Sequence, residues 1–281
     1  MIEFFCFYYI WNKYCTGNST KTVTMKKFLI FLIFPLLFSF DAQREDAFQT
    51  GEWFKFRVHY GLINAGYATL EVQDGVINNK KVYHVIGKGY STGMSRFFFK
   101  VDDLYESYFD KVTGNPYKYI RKIDEGGYTK NQEGFFNPAS DRVLVKDFDN
   151  KTEKTYVIPN NTQDIVSAFY YLRNYPTINK LKVGESVAID MFFDEETTKF
   201  KLKFIGREDL NTKFGVIPTM IFRPLVQLGR VFKEQEALTV WISDDDNKIP
   251  VRIQASLTVG SIKADLDGFK GLKNSFTIKV K

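Results

Sequence analysis

The fold is decided by the stretch WFKFRVHY at residues 53–60. From Phe54 onward, apolar residues occupy every second position, with Lys55 and Arg57 between them. Successive side chains of a β-strand point to opposite faces, so this alternation predicts a strand with one buried face and one solvent-facing face. Gly61 ends the pattern, as expected of a residue that begins a turn.

The same alternation continues along most of the chain. Residues 65–72 and 81–90 predict a second and a third strand, with a turn at Asp74 and Gly75. Further strands are predicted at 104–109, 117–123, 128–136, 142–148, 187–193, 198–205, 219–222, 238–243, 251–257 and 261–266. This many short strands predict a mainly β protein, built as one large, strongly curved antiparallel sheet, an open barrel or a sandwich.

One central segment, about residues 162–175, has helical periodicity instead. Its apolar side chains recur at helical spacing, at Ile165, Ala168, Phe169 and Leu172. Asn161 or Thr162 is a suitable N-cap, and Pro176 stops the helix. A single amphipathic helix in a long β-protein is expected either to pack its apolar stripe on a concave sheet face or to plug one end of a sandwich.

The first 42 residues have the features of a targeting segment. Met25 is followed by two lysines and an apolar run at 28–40, which is shorter than the roughly 20 residues of a membrane-spanning helix. These features predict a signal peptide at 25–42 and a mature chain from Gln43, exported to the periplasm or the outer membrane, or secreted. Residues 1–24 are predicted to be an extension from a start codon assigned too early.

Composition excludes several classes of function. Both cysteines, Cys6 and Cys15, precede Gln43, so the mature chain is expected to hold no disulfide, thiol or cysteine metal ligand. Four of the 39 basic residues and two of the 33 acidic residues also precede Gln43, which leaves a mature net charge of about +4. The basic residues are scattered, which argues against nucleic-acid binding. A single domain at 43–281 is predicted, with two domains joined near 159–183 as the alternative.

Possible catalytic or metal-binding patterns are weak. Ser91 lies in the sequence Gly-Tyr-Ser-Thr-Gly, which matches a nucleophile elbow, but His59 and His84 both precede it, against the chain order of that fold. The acidic run at 244–246 lies between two predicted strands, where a hairpin turn is favoured over a calcium loop. We therefore expect a protein that is not an enzyme and that binds neither a metal nor a cofactor. A serine hydrolase that uses Ser91 as nucleophile is the least favoured alternative.

The aromatic cluster Phe97–Phe99, flanked by Arg96 and Lys100, allows several interpretations. Three successive aromatic side chains cannot all face one side of a strand. Packing in the core is the leading expectation, and a short helix, a sheet edge folded over a cavity or a membrane-touching loop are the alternatives.

Four segments in order give the chain a family resemblance. They are Gly51-Glu52-Trp53, residues 63–68, residues 163–173, and Trp241 to Asp244 leading to Pro250-Val251. Together they resemble the DUF3108 family over nearly the whole mature chain. The resemblance implies a β-rich exported protein of uncharacterised activity. By analogy of fold, the chain is also similar to periplasmic lipoprotein carriers, in which helices cover an apolar cavity on an open, curved sheet.

These observations predict a non-enzymatic envelope protein that binds a lipid or another hydrophobic molecule between the sheet and the helix. The candidate ligand-binding residues are Phe169 and Leu172, or Val166 and Tyr170 on the adjacent face of the helix. All four are equally consistent with simple core packing. The alternative function is a structural or assembly partner in the cell envelope, acting through strand edges or through Phe97–Phe99.

Overall fold

The computed structural model describes residues 46–225 and 238–279, and within them fourteen strands form one antiparallel sheet. The first eight strands are β1 Trp53–Tyr60, β2 Ile63–Ile77, β3 Lys80–Ser91, β4 Asp102–Asp110, β5 Pro116–Glu125, β6 Tyr128–Asn137, β7 Arg142–Asp147 and β8 Thr152–Val157. The other six are β9 Ser186–Phe193, β10 Glu196–Thr212, β11 Gly215–Leu225, β12 Leu238–Ser243, β13 Pro250–Ser256 and β14 Ser261–Lys270. The predicted extension at 1–24 and signal peptide at 25–42 lie outside the described residues.

The sheet consists of two meanders joined in the middle. Strands β1 to β8 are successive neighbours, as are β9 to β14, and the two sets meet where β1 pairs with β14. The edge strands of the sheet are β8 and β9, so the sheet is not closed by strand hydrogen bonds. The mainly β, antiparallel and open architecture expected from the sequence is therefore confirmed.

Tight two-residue turns make the meander possible. Asn78 and Asn79 join β2 to β3 with φ values of 49° and 62°, and Asp194 and Glu195 join β9 to β10 with 49° and 65°. Positive φ at both positions matches the right-handed twist of the strands, and Asn and Asp tolerate it best. The turn predicted at residues 74–75 is wrong, since both residues lie inside β2, paired with β3.

Helix α1, Gly93–Phe98, shows that core packing was the wrong expectation for the aromatic cluster. None of its residues is buried, and Phe97, Phe98 and Phe99 are 85%, 76% and 55% exposed. The short-helix alternative is confirmed. Phe97 and Phe98 point in different directions because they are successive residues of a helix, and Phe99 is the C-cap, whose ring lies against Gly126.

Helix α2, Ile165–Arg173, is the expected central helix, but its cap differs from the predicted one. The N-cap is Asp164, whose side chain accepts hydrogen bonds from the backbone N–H groups of Val166 and Ser167. Ser167 completes a capping box by accepting from the Asp164 N–H. A short 3₁₀ turn, Ile178–Lys180, follows before β9.

Helix α2 lies against both meanders. On one side Tyr170 packs against Phe48 and Phe109, with ring centroids 4.7 and 5.7 Å apart. On the other side Ala168 and Leu172 join the core formed by β9 to β12. The helix is therefore held by the two halves of the sheet together, and it covers the inner face between them.

Candidate functional site

The candidate site is a cavity of about 320 Å³ between α2 and strands β9 to β13. Ligand-binding cavities start at roughly this size. Fourteen of its sixteen lining residues are apolar, and the other two are Arg173 and Lys248. Such a lining favours hydrocarbon and gives water few partners, because buried polar groups are sparse.

The roof of the cavity comes from the helix and the floor from the sheet. Ile165, Ala168, Phe169 and Leu172 recur at helical spacing and so project from the same face of α2. The floor combines residues from five strands, among them Met191, Leu202, Pro224, Ile242 and Ile253. Alternate residues of each strand face inward, which is why a continuous apolar floor can form beneath the helix.

Arg173, at the end of α2, is tied to the start of the sheet by a buried ion pair. Its two terminal nitrogens donate to the two carboxylate oxygens of Glu52 at 2.6 and 2.8 Å. It also donates to the carbonyl oxygens of Ala47 and Asn247. Burial raises the pKa of Glu52, and the Arg173 guanidinium opposes this shift. Because its donors are satisfied by the protein, Arg173 fixes the position of the helix.

Lys248 is the second cation of the cavity and, unlike Arg173, forms no side-chain ion pair within the part of the chain that the structure describes. The residue is only 9% exposed. Its backbone N–H donates to Asp245, but among residues 46–225 and 238–279 no carboxylate lies within 4 Å of its ammonium group. Burial lowers the pKa of Lys248 below its ordinary 10.5, against the attraction of nearby acidic residues.

The four candidate residues predicted from the sequence divide into two pairs. Phe169 and Leu172 line the cavity, and Phe169 also packs against the neighbouring core. Val166 and Tyr170 instead pack in the core formed with Phe48 and strands β2 to β4. The helix thus places one apolar face on the cavity and its adjacent face on the core.

Sequence reasoning missed Lys248 and the residues of the floor. Lys248 follows the acidic turn after β12, and in the sequence it resembles an ordinary solvated lysine. Its burial among apolar side chains results from the approach of α2, about 75 residues earlier in the chain. No local pattern records such a contact.

Ser91 and the histidines do not form a catalytic arrangement with one another. The Ser91 hydroxyl oxygen accepts a hydrogen bond from the Val101 N–H. His59 contacts Asp265 at 3.0 Å, and His84 contacts Glu106 at 2.6 Å. Each of these contacts joins neighbouring strands, so the histidines contribute to the sheet surface.

Fold and cavity together define a class: an open antiparallel β-sheet that carries one helix over an apolar cavity. Residues 55–267 match the family described as "Protein of unknown function (DUF3108)". The chain belongs to this family. No curated protein matches it.

The chain is similar to several solved structures, among them these two. A beta-barrel-like protein of the domain of unknown function DUF1849, from Brucella abortus, aligns with a TM-score of 0.53 and 7% identity, covering 80% of this chain and 99% of its own. A protein described as a "putative lipoprotein" from Parabacteroides distasonis aligns with a TM-score of 0.29 and 12% identity, covering 80% and 98%. The first similarity supports the barrel-like fold of the sheet.

Neither α1 nor α2 has the length and apolar character needed to cross a bilayer, and the same holds for every helix within residues 46–225 and 238–279.

Proposed function

We propose that this protein binds a lipid or another hydrophobic molecule in the cavity beneath α2, without catalysing a reaction on it. The observation that carries the proposal is the lining of the cavity, in which apolar side chains from one helix and five strands converge. An apolar ligand would gain free energy roughly in proportion to the apolar surface it removes from water.

The cellular setting proposed is the envelope, in the periplasm or at the outer membrane. The predicted signal peptide at 25–42 supports export, and a hydrophobic ligand supports a place next to membranes. Between the two bilayers of the envelope, the cavity would shield a bound hydrophobic ligand from water. Native mass spectrometry of the full chain, purified after export without detergent, should reveal a lipid-sized adduct.

Replacing Phe169 with Asp should weaken binding of the neutral probe N-phenyl-1-naphthylamine by about tenfold or more. Phe169 lines the cavity and is partly buried, so the substitution places a charge where the apolar ligand would lie. Fluorescence titration of the probe gives the dissociation constant, and circular dichroism establishes that the variant is folded.

The matched control is Phe98→Asp, which makes the same chemical change at a residue that is 76% exposed and does not line the cavity. Its probe affinity should equal that of the unaltered protein. Equal affinities for folded Phe169→Asp and Phe98→Asp proteins would contradict the proposed site, and the absence of any probe binding would contradict the function.

A further inference from the structure

The cavity combines a hydrocarbon lining with one cation, Lys248, that forms no ion pair with any residue of 46–225 or 238–279. Arg173 is engaged by Glu52 and two backbone carbonyls, so its charge is already balanced. The ammonium group of Lys248 has no such partner among the described residues, although the residue is 9% exposed. The Lys248 side-chain nitrogen is not one of the fully buried atoms that lack a hydrogen-bond partner, so it keeps some contact with solvent. An anion that entered the cavity would gain an ion pair with this cation.

The acidic residues near Lys248 are mostly engaged elsewhere. Asp244 accepts from Arg207 at 2.9 Å, and Asp245 accepts from the Ser243 hydroxyl and the Asn247 N–H. Asp246 is exposed. These carboxylates attract Lys248 at longer range, and Arg173 repels it. Lys248 therefore remains available to an incoming anionic group.

We propose that the ligand is an anionic amphiphile, whose chain fills the apolar cavity and whose carboxylate or phosphate group pairs with Lys248. This inference rests on the proposed function and names the class of ligand. Decanoate and decyl phosphate represent the two sources of the negative charge, and decanol is the neutral molecule of the same chain length.

The test is competition of these three molecules against N-phenyl-1-naphthylamine. Decanoate or decyl phosphate should bind the unaltered protein about tenfold more tightly than decanol, a ratio typical of one partly buried charge pair. Lys248→Met should abolish this preference while leaving decanol affinity unchanged, and Lys248→Arg should retain it. The preference should also shrink as the pH is raised, and at a lower pH than for an ordinary lysine, because burial lowers the pKa of Lys248.

The matched control is Lys151→Met, because Lys151 shares the positive φ of Lys248, 52° against 49°, but lies in an exposed turn. It should leave all three affinities unchanged. Equal affinities for charged and neutral competitors in the unaltered protein would overturn the anionic ligand while preserving the hydrophobic site. Failure of the probe and of all competitors to bind would overturn both proposals.

A second, independent observation concerns one end of the sheet. We define the apolar tip as residues 60–63, 93–100 and 257–262. Ten of the eighteen large apolar side chains that are exposed in the described part of the chain lie in it, led by Leu62 at 97% and Phe97 at 85%. Isolated exposed apolar residues are ordinary, whereas a concentration of them marks an interaction surface.

Contacts between the three segments show that they lie together. The Tyr60 hydroxyl donates to the Val259 carbonyl at 2.9 Å, which joins the first segment to the third. The Ser95 hydroxyl donates to the Asn64 carbonyl at 3.1 Å, which holds α1 beside the start of β2, next to the first segment. The exposed side chains therefore form one surface at the ends of the central strands.

The charges of the apolar tip favour a lipid surface as its partner. Its three segments contain Arg96 and Lys100 but no acidic residue. Both cations flank the aromatic cluster and remain more than 40% exposed, although Arg96 pairs with Asp102 and Lys100 pairs with Asp102 and Asp124 outside the tip. Exposed aromatic and aliphatic side chains on short turns can insert into the interface of a bilayer. Cations beside them attract anionic lipid head groups.

We infer that the apolar tip docks the protein on an anionic membrane surface. Sedimentation with vesicles of phosphatidylglycerol and phosphatidylethanolamine should recover the protein, with much weaker recovery on phosphatidylcholine alone. The double variant Phe97→Ser/Phe98→Ser should reduce the partition coefficient by about tenfold or more, because two exposed rings no longer enter the interface.

The control is Val76→Ser/Val112→Ser, which removes two apolar side chains of 69% and 79% exposure at the opposite end of the strands. It should sediment like the unaltered protein, and both double variants should retain binding of N-phenyl-1-naphthylamine. Equal sedimentation of the two double variants would overturn the inference. So would a protein that ignores vesicles but forms an envelope-protein complex dependent on Phe97 and Phe98.

Discussion

Replacing Glu52 with Gln should lower the free energy of unfolding by about 3–5 kcal/mol, the usual cost of breaking a buried ion pair from one side. Glu52 and Arg173 have side chains that are 0% and 2% exposed, so water cannot replace the lost carboxylate. The Arg173 guanidinium also lies within 5.5 Å of the Phe48 and Phe54 ring centres. Urea denaturation followed by tryptophan fluorescence measures the change.

Two comparisons separate this effect from a general loss of charge. Lys199→Met removes the exposed ion pair with Asp190 and should cost less than about 1 kcal/mol. The double variant Glu52→Leu/Arg173→Met should recover part of the loss, because no unpaired charge is then buried. A cost for Glu52→Gln no larger than that of Lys199→Met would show that the pair does not hold the helix.

The Glu52–Arg173 ion pair also positions the roof of the cavity. Arg173 belongs to α2, Glu52 precedes β1, and Asn247 lies in the turn that also holds Lys248. The ion pair therefore fixes the roof of the cavity to two parts of the sheet. A weaker attachment should make the cavity less well formed, so probe binding should fall together with stability.

Replacing Asp164 with Ala should destabilise the protein by about 3 kcal/mol, the second-largest effect expected. The Asp164 carboxylate caps α2 through two backbone N–H groups and accepts a third hydrogen bond from the Ser107 hydroxyl at 2.6 Å. Ser107 is fully buried in β4, so its donor would have no substitute partner. Chemical denaturation gives the change in free energy.

A matched control exists in the turn after β4. Asp110 likewise accepts from two backbone N–H groups, those of Val112 and Thr113, and from the Tyr117 hydroxyl. These backbone donors are exposed, so water can replace the carboxylate, and Asp110→Ala should cost only about 1 kcal/mol. If Asp110→Ala and Asp164→Ala lowered the free energy of unfolding equally, burial would not determine how much the Asp164 cap stabilises the protein.

Strands with one buried face were predictable because their periodicity is local. The alternation in β1 carries its signal within a few residues. The Asn78-Asn79 turn after β2 is equally local, but the turn was expected at Asp74 and Gly75 instead. Strand β8 gave no such signal, since its residues Thr152–Val157 are almost all exposed at the edge of the sheet. The turn expected at Asp74 failed because a strand interior tolerates Asp and Gly where its pairing continues.

The site was predictable only in part, for the same reason. Helical spacing indicated that Phe169 and Leu172 lie on one face of the helix. The spacing did not indicate whether this face lines a cavity or packs in a core. Val166 and Tyr170 satisfy the same pattern and are buried against Phe48 instead. The choice depends on which strands lie opposite each face of the helix.

By itself, the sequence determined that this protein is mainly β, contains one central amphipathic helix and belongs to its family. These properties depend on residues close together in the chain. Only the tertiary structure decided that Arg173 is paired with Glu52, that Lys248 is buried beside an apolar cavity, and that Phe97–Phe99 are exposed. The first two follow from the pairing of β1 with β14 and from the position of α2, which bring together segments more than 70 residues apart. The third follows from the short helix α1, none of whose residues is buried. Whether a side chain is buried or its charge is paired depends on the residues that surround it in the folded protein, and most of these are distant in sequence.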